Sequence, residues 1–188
     1  MWMVLGDPGA PLLKWGVVLG VSLAAAINDV GTRRIPNWLT MPVLLAALVW
    51  AAWTAGWDGI ADAVAACMLF ALPFVVLFVL GAGGAGDAKL MGAIGAWLGT
   101  GHVLVTLACV LLAGGVLGIF YALAKGKGMA VARNLWNMGL GLFLSVIHRR
   151  RWSEVSIPSP REMQTMPYGV AIFAGTLAAA LGEWLWHG

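Results

Sequence analysis

Two aspartates stand where an apolar chain has least use for them. Asp87 lies in "VLGAGGAGDAKLMGAIGAWLG", residues 79–99, with glycines before it and Lys89 two residues after it. Asp29 lies in "INDVGTRRIPN", where the chain's first apolar run gives way to two arginines. A pair of carboxylates held together at one depth can divide acid and base work, one giving a proton while the other takes one. Each also has a plainer reading. Asp29 can terminate a helix with Gly31 as its left-handed cap, and Asp87 can be a helix N-cap. Two acids in or near a bilayer weigh against both plain readings together, because such residues cost roughly 2.5 to 3.5 kcal/mol at helix centres and mark function.

The bilayer follows from composition. The 188 residues are 61% hydrophobic and only 10% charged, with a mean hydropathy of +0.90, which is too apolar for a soluble domain of this length. A formal net charge of +3 is small, and no basic, aromatic-laced surface of the kind nucleic acid requires is present. Cys67 and Cys109 stand alone in apolar runs and form no CxxC pair, so they read as small packing residues. The run at 12–27 has no basic segment before it and no small-residue cleavage site after it, so it reads as a spanning helix and not a signal peptide.

A span needs roughly 20 apolar residues. Residues 11–28, 38–57, 59–80, 102–124 and 167–186 meet this, and 88–99 makes a shorter helix. Pro42 falls in an expected first turn, and Pro73 is expected to kink its helix. The glycines of "GGVLG", 114–118, offer a small-residue surface for close helix packing. Residues 129–147 place Asn134, Asn137, Gly141, Ser145 and His148 on one stripe opposite Leu135, Met138 and Leu142, the pattern of an interfacial helix. The polar, proline-punctuated residues 148–166 read as a loop.

With six spans, ten of the eleven Lys and Arg residues fall on one side and Lys14 alone on the other, which makes the richer side cytoplasmic. Trp53, Trp57, Trp184 and Trp186 then sit at outer helix ends. The expected fold is all-α: one membrane-embedded domain over 1–188, with about six transmembrane helices and one interfacial amphipathic helix. This layout brings Asp29 and Asp87 to the same, cytoplasmic face. Asp62 and Glu183 fall towards the other face, and His102, His148 and His187 are too scattered to hold a metal.

"DVGTRRIPN" at 29–37 followed by "GAGDAKL" at 84–90, with "MPYG" at 166–169 opening the last helix, resembles the type IV prepilin peptidase family. "GAGD" in particular resembles the GxGD signature of intramembrane aspartyl proteases. The resemblance implies an aspartic endopeptidase of a bacterial inner membrane that cleaves prepilin or pseudopilin leader peptides at the cytoplasmic face. Asp29 and Asp87 correspond to the catalytic pair, and no metal or cofactor is implied. Gly84, Gly86, Lys89, Arg34, Pro36 and Asn37 match the motifs as supporting residues. Lys89 is expected to orient Asp87 or a lipid phosphate, or else to serve simply as a positive-inside anchor, and Gly84 and Gly86 to let a peptide approach. The partners implied are the prepilin substrate and the lipid bilayer.

Larger members of that family carry paired CxxC motifs and N-methylate the new terminus. Ten residues precede the first helix and no CxxC is present, so methyl transfer is not expected. The compact form is similar to the enzymes of tight-adherence (Flp) pilus systems. Two rival readings are a small proton- or ion-coupled transporter, since paired intramembrane acids also mark ion pathways, and a non-catalytic pilus-assembly subunit. A transporter predicts acids near mid-membrane and an internal repeat, neither of which the sequence displays.

Overall fold

A computed structural model describes residues 9–79, 83–124 and 168–187. All regular structure among them is helical: α1 (Gly9–Thr32), α2 (Asn37–Val79), α3 (Ala85–Leu98), a short 3-10 turn (Thr100–His102), α4 (Val103–Ala124) and α5 (Tyr168–His187). The expected interfacial helix at 129–147 and loop at 148–166 lie outside the described residues.

Among the described residues, four helices are long and apolar enough to cross a membrane, over residues 12–32, 37–79, 100–121 and 168–186. Their outward faces carry large apolar side chains such as Leu45, Val49, Leu104 and Phe120, all well exposed. Water would not tolerate that much apolar surface, and lipid favours it. The chain is thus a multi-pass membrane protein.

At 43 residues, α2 is about twice as long as one crossing needs. It folds back at Gly56, whose φ of 59° and ψ of −136° suit glycine and almost nothing else. The two arms run in opposite directions along α3. Trp97 Nε1 donates to the Val43 carbonyl of the first arm at 3.0 Å, and its ring lies 6.3 Å from that of Trp50. On the other side Gly92 rests on Cys67, and Gly95 rests on Ala66 and Phe70, of the second arm. Pro73 was expected to bend the chain, yet Gly56 is the residue of α2 with non-helical backbone angles. Pro42 falls in the second turn of α2, not the first, because α2 begins at Asn37.

α3 is the most buried helix described. From Asp87 to Leu98 every residue but Lys89 is buried, so its small residues serve contact on all sides and not amphipathic patterning. Fourteen residues span about 21 Å, short of a full crossing. A Cβ at Gly95 would lie 2.6 Å from the Ala66 carbonyl oxygen and 2.8 Å from the Phe70 ring. Gly95→Ala is therefore expected to lower stability by about 1–3 kcal/mol through overpacking. Gly20→Ala, which faces open space, serves as the control. Thermal unfolding in detergent reads both, and equal midpoints would show that α3 is not seated on α2 at this point.

The other helices form a second group. Gly175 of α5 lies against the backbone of Val110 in α4. Between α5 and α1, Thr176 Oγ1 donates to Ser22 Oγ at 3.2 Å, wholly buried. Of the "GGVLG" glycines, Gly114 receives the Tyr168 side chain, whereas Gly115 and Gly118 face open space. At the end of the molecule away from Asp87, Glu183 accepts from Trp15 Nε1 at 3.1 Å and faces His102 Nε2 at 3.2 Å. Asp62 there accepts from the Thr100 hydroxyl and backbone N–H.

Candidate active site

Asp29 and Asp87 stand at the seam between the two groups of helices. Neither occupies the plain position open to it in sequence. α1 does not stop at Asp29 with Gly31 as cap: it continues to Thr32, and the left-handed residue is Arg33, with φ of 53°. Arg33 donates its N–H to the Asp29 carbonyl at 2.8 Å, and Thr32 Oγ1 donates to the carbonyls of Asn28 and Arg34. These bonds satisfy the exposed end of α1. Asp29 is thereby kept in the last helical turn, its side chain turned inward and only 6% exposed.

Asp87 is likewise not the N-cap. Gly84 holds that position, with extended backbone (φ −97°, ψ 145°), and Asp87 is the third helical residue. Its Oδ2 accepts the Gly84 N–H at 3.0 Å, while its own N–H donates to the Gly84 carbonyl at 3.1 Å. This is the side-chain half of a capping box. Asp87 is 8% exposed, and its carboxylate is near enough to that of Asp29 for their charges to act on one another.

The glycines of "GAGD" act by close approach within the chain. A Cβ at Gly84 would sit 3.2 Å from Asp87 Oδ2. One at Gly86 would sit 3.0 Å from Ile35 Cβ and 3.3 Å from the Ile35 carbonyl oxygen. Gly86 thus lets the first turn of α3 lie directly on residues 33–36, the link that leaves the Asp29 helix. Lys89 strengthens the same join: its Nζ donates to Asn37 Oδ1 at 3.0 Å. The expectation that Lys89 orients Asp87 gives way to this bond to the start of α2. Pro36 accepts the Leu39 N–H at 3.1 Å and so opens α2. The Arg34 side chain is exposed.

Two residues missing from the expected site complete its wall. Gly169, the second residue of α5, donates its N–H to Asp29 Oδ2 at 2.8 Å. Tyr168 sets its ring edge-on to Phe74 at 5.8 Å, touches Gly114 with its hydroxyl end, and lies within electrostatic reach of Asp87. Both belong to "MPYG", whose first two residues are outside the described set. The signal in the sequence was the motif itself, since a backbone N–H leaves no side-chain trace.

Each carboxylate therefore accepts one backbone N–H at a helix N-terminus, Asp87 from its own helix and Asp29 from α5. That is where a carboxylate is best stabilised. Two acids so placed can share a proton and act as a unit. Among the described residues no group of three or more His, Cys, Asp or Glu side chains is placed to hold a metal ion.

Comparison with known proteins gives this geometry a family. Residues 16–123 match the model of the type IV leader peptidase family, more than half of the chain. A prepilin leader peptidase/N-methyltransferase from Klebsiella pneumoniae is 36% identical over 99 residues, covering 49% of this chain and 43% of that protein. Proteins of the same name from two Burkholderia pseudomallei strains, 1026b and K96243, are 32% identical over 123 residues, covering 62% of this chain and 39% of each. The chain thus spans less than half the length of the curated relatives it matches. No solved structure matches it. The family match reaches across both aspartate motifs, from within α1 to the end of α4, and on it the chain belongs to the type IV leader peptidase family.

Proposed function

We propose that this protein is an aspartic endopeptidase that removes the leader peptide of type IV prepilins or pseudopilins at the cytoplasmic face of a bacterial inner membrane. The observation that carries this reading is the pairing of Asp29 and Asp87, two buried carboxylates in mutual electrostatic reach, in a chain of a leader peptidase family. In the proposed reaction one carboxylate takes a proton from water as the water oxygen attacks the scissile carbonyl carbon. The other, protonated, gives its proton to the carbonyl oxygen. The tetrahedral diol then collapses: a proton passes to the nitrogen, the C–N bond breaks, and a carboxylic acid and an amine leave. The dyad ends with one proton, as it began. No metal enters these steps.

In the full reading six crossings, counting the two arms of α2 and the short α3, and an interfacial helix at 129–147 surround the pair. The skew of Lys and Arg sets its face. In this reading Asp87 lies below the membrane surface, where water and a substrate helix can meet, and an α3 shorter than the bilayer supports it. Gly86, Lys89 and Asn37 support the pair by fastening α3 to Ile35 and the start of α2, Gly84 by holding the Asp87 carboxylate, Pro36 by opening α2, and Arg34 as a cytoplasmic anchor. The reading is confined to cleavage, and N-methylation of the product is not part of it. Purified full-length chain incubated in detergent with a type IV prepilin or an Flp-type prepilin is the test. The expected product is a pilin shortened by its leader, read by mass. Failure to cut any of a panel of such substrates, by protein that is folded and inserted, would sink the proposal.

A further inference from the structure

The amide that meets Asp29 comes from a helix 140 residues away in sequence, and the surroundings hold it there. Gly169 N–H is among the first four of α5, which have no partner within the helix. It donates to Asp29 Oδ2 in a buried setting. The approach depends on glycine: a Cβ would lie 3.0 Å from Asp29 Cβ, 3.1 Å from Oδ2 and 3.2 Å from the Ala25 carbonyl oxygen. Two turns further on, the buried Thr176–Ser22 hydrogen bond ties α5 to α1. On the other flank Tyr168 is wedged against Phe74 of α2 and Gly114 of α4. The donor is therefore fixed from three helices.

An aspartate carboxylate otherwise turns through a broad, roughly two-fold torsional well, which blurs which oxygen faces a reaction. Resting on the reading of Asp29 and Asp87 as the reacting pair, we propose that Gly169 is a positioning residue for Asp29. Its N–H holds Oδ2, so that Oδ1 is the oxygen that exchanges protons with Asp87, water and the scissile peptide. Orientation of this kind is worth up to orders of magnitude in rate without any contact between Gly169 and substrate.

The sequence offers a clean probe. It contains two tyrosines, Tyr121 followed by Ala122 and Tyr168 followed by Gly169. Isotopic labels on tyrosine carbonyl carbons and glycine nitrogens therefore isolate one amide in the NMR spectrum of the full-length protein in micelles. The expected result is a Gly169 amide proton resonance that moves with pH, loses that response in Asp29→Asn, and keeps it in Asp87→Asn. A Gly169 amide indifferent to pH, or to Asp29→Asn, overturns the proposal, and neither observation needs a working protease.

The kinetic arm uses Gly169→Ala. Its kcat for prepilin is expected to fall about ten-fold or more, with KM unchanged and the pH-rate profile displaced. Gly175→Ala, whose added carbon collides with the Val110 backbone of α4, is expected to lower thermal stability without displacing that profile. A Gly169→Ala protein that loses affinity alone, or keeps the wild-type profile, overturns the positioning role. Should the wild type cleave no prepilin while its Gly169 amide follows Asp29, the peptidase reading fails and the hydrogen bond stands.

Discussion

Asp29→Asn and Asp87→Asn are each expected to reduce prepilin processing by about 10³-fold or more, with the double variant no slower than either single one. The magnitude follows from the division of labour: general acid and general base catalysis each supply roughly 10²–10⁴-fold, and neither carboxylate can do the other's half of the step. The failure to add follows from their acting as a unit, as is usual for groups that share one reaction coordinate. Asparagine preserves the shape of each side chain and its ability to accept the N–H of Gly169 or Gly84. Insertion and thermal stability should therefore hold, and loss of activity would not be loss of fold. Processing assays on membranes with matched protein levels decide the matter. A variant that retains more than about a tenth of wild-type activity, against the general range for acid–base groups, would remove its aspartate from the chemistry.

How far the site was legible in sequence depended on whether a side chain or a backbone did the positioning. Asp29 and Asp87 announce themselves, because a carboxylate in an apolar chain has few structural uses. A break between spans 38–57 and 59–80 was legible for a similar reason, since so long an apolar run has no single membrane to fit, but the turn itself falls at Gly56, inside the first of those spans. What escaped was set by three-dimensional placement. Arg33 takes the left-handed conformation and Gly31 does not, since α1 runs one turn further than its apolar pattern. Lys89 reaches Asn37 and not Asp87, because on α3 the two side chains, two residues apart, point to different faces. Gly169 offers only a main-chain N–H, which looks the same at every residue but proline.

The same distinction explains why the aspartates meet at all. α3 is seated on both arms of α2, and α5 lies on α1 and α4, so Asp87 and Asp29 belong to different packed groups. Joins near the site include the residue 33–36 link, which touches α3 through Gly86, the bond of Lys89 to Asn37 at the start of α2, and the α5 N-terminus, which touches Asp29 through Gly169 and Phe74 of α2 through Tyr168. Substitutions at these joins test whether the spacing of the pair matters apart from its chemistry.

Gly86→Val is the sharpest of them and is expected to lower processing by about 10²-fold with both carboxylates intact. The added side chain enters a space where even its first carbon would lie 3.0 Å from Ile35 Cβ and 3.3 Å from the Ile35 carbonyl oxygen. Ile35 is itself buried, so the link cannot simply swing away, and α3 must lift. Asp87, one residue along, moves with it. A misplacement of about 1 Å between reacting groups is enough for a loss of that size. Gly86→Ala adds one carbon in place of three and should fall between Gly86→Val and wild type, because a shift of a few tenths of an ångström accommodates it. The remainder of α3 stays pinned by Trp97 to Val43 and by Gly95 to Phe70. Thermal stability should consequently drop far less than activity does. Rates measured for the three proteins on one prepilin, beside their unfolding midpoints, read the outcome. Wild-type processing by Gly86→Val would mean that the approach of α3 to the α1–α2 link does not set the distance between Asp29 and Asp87.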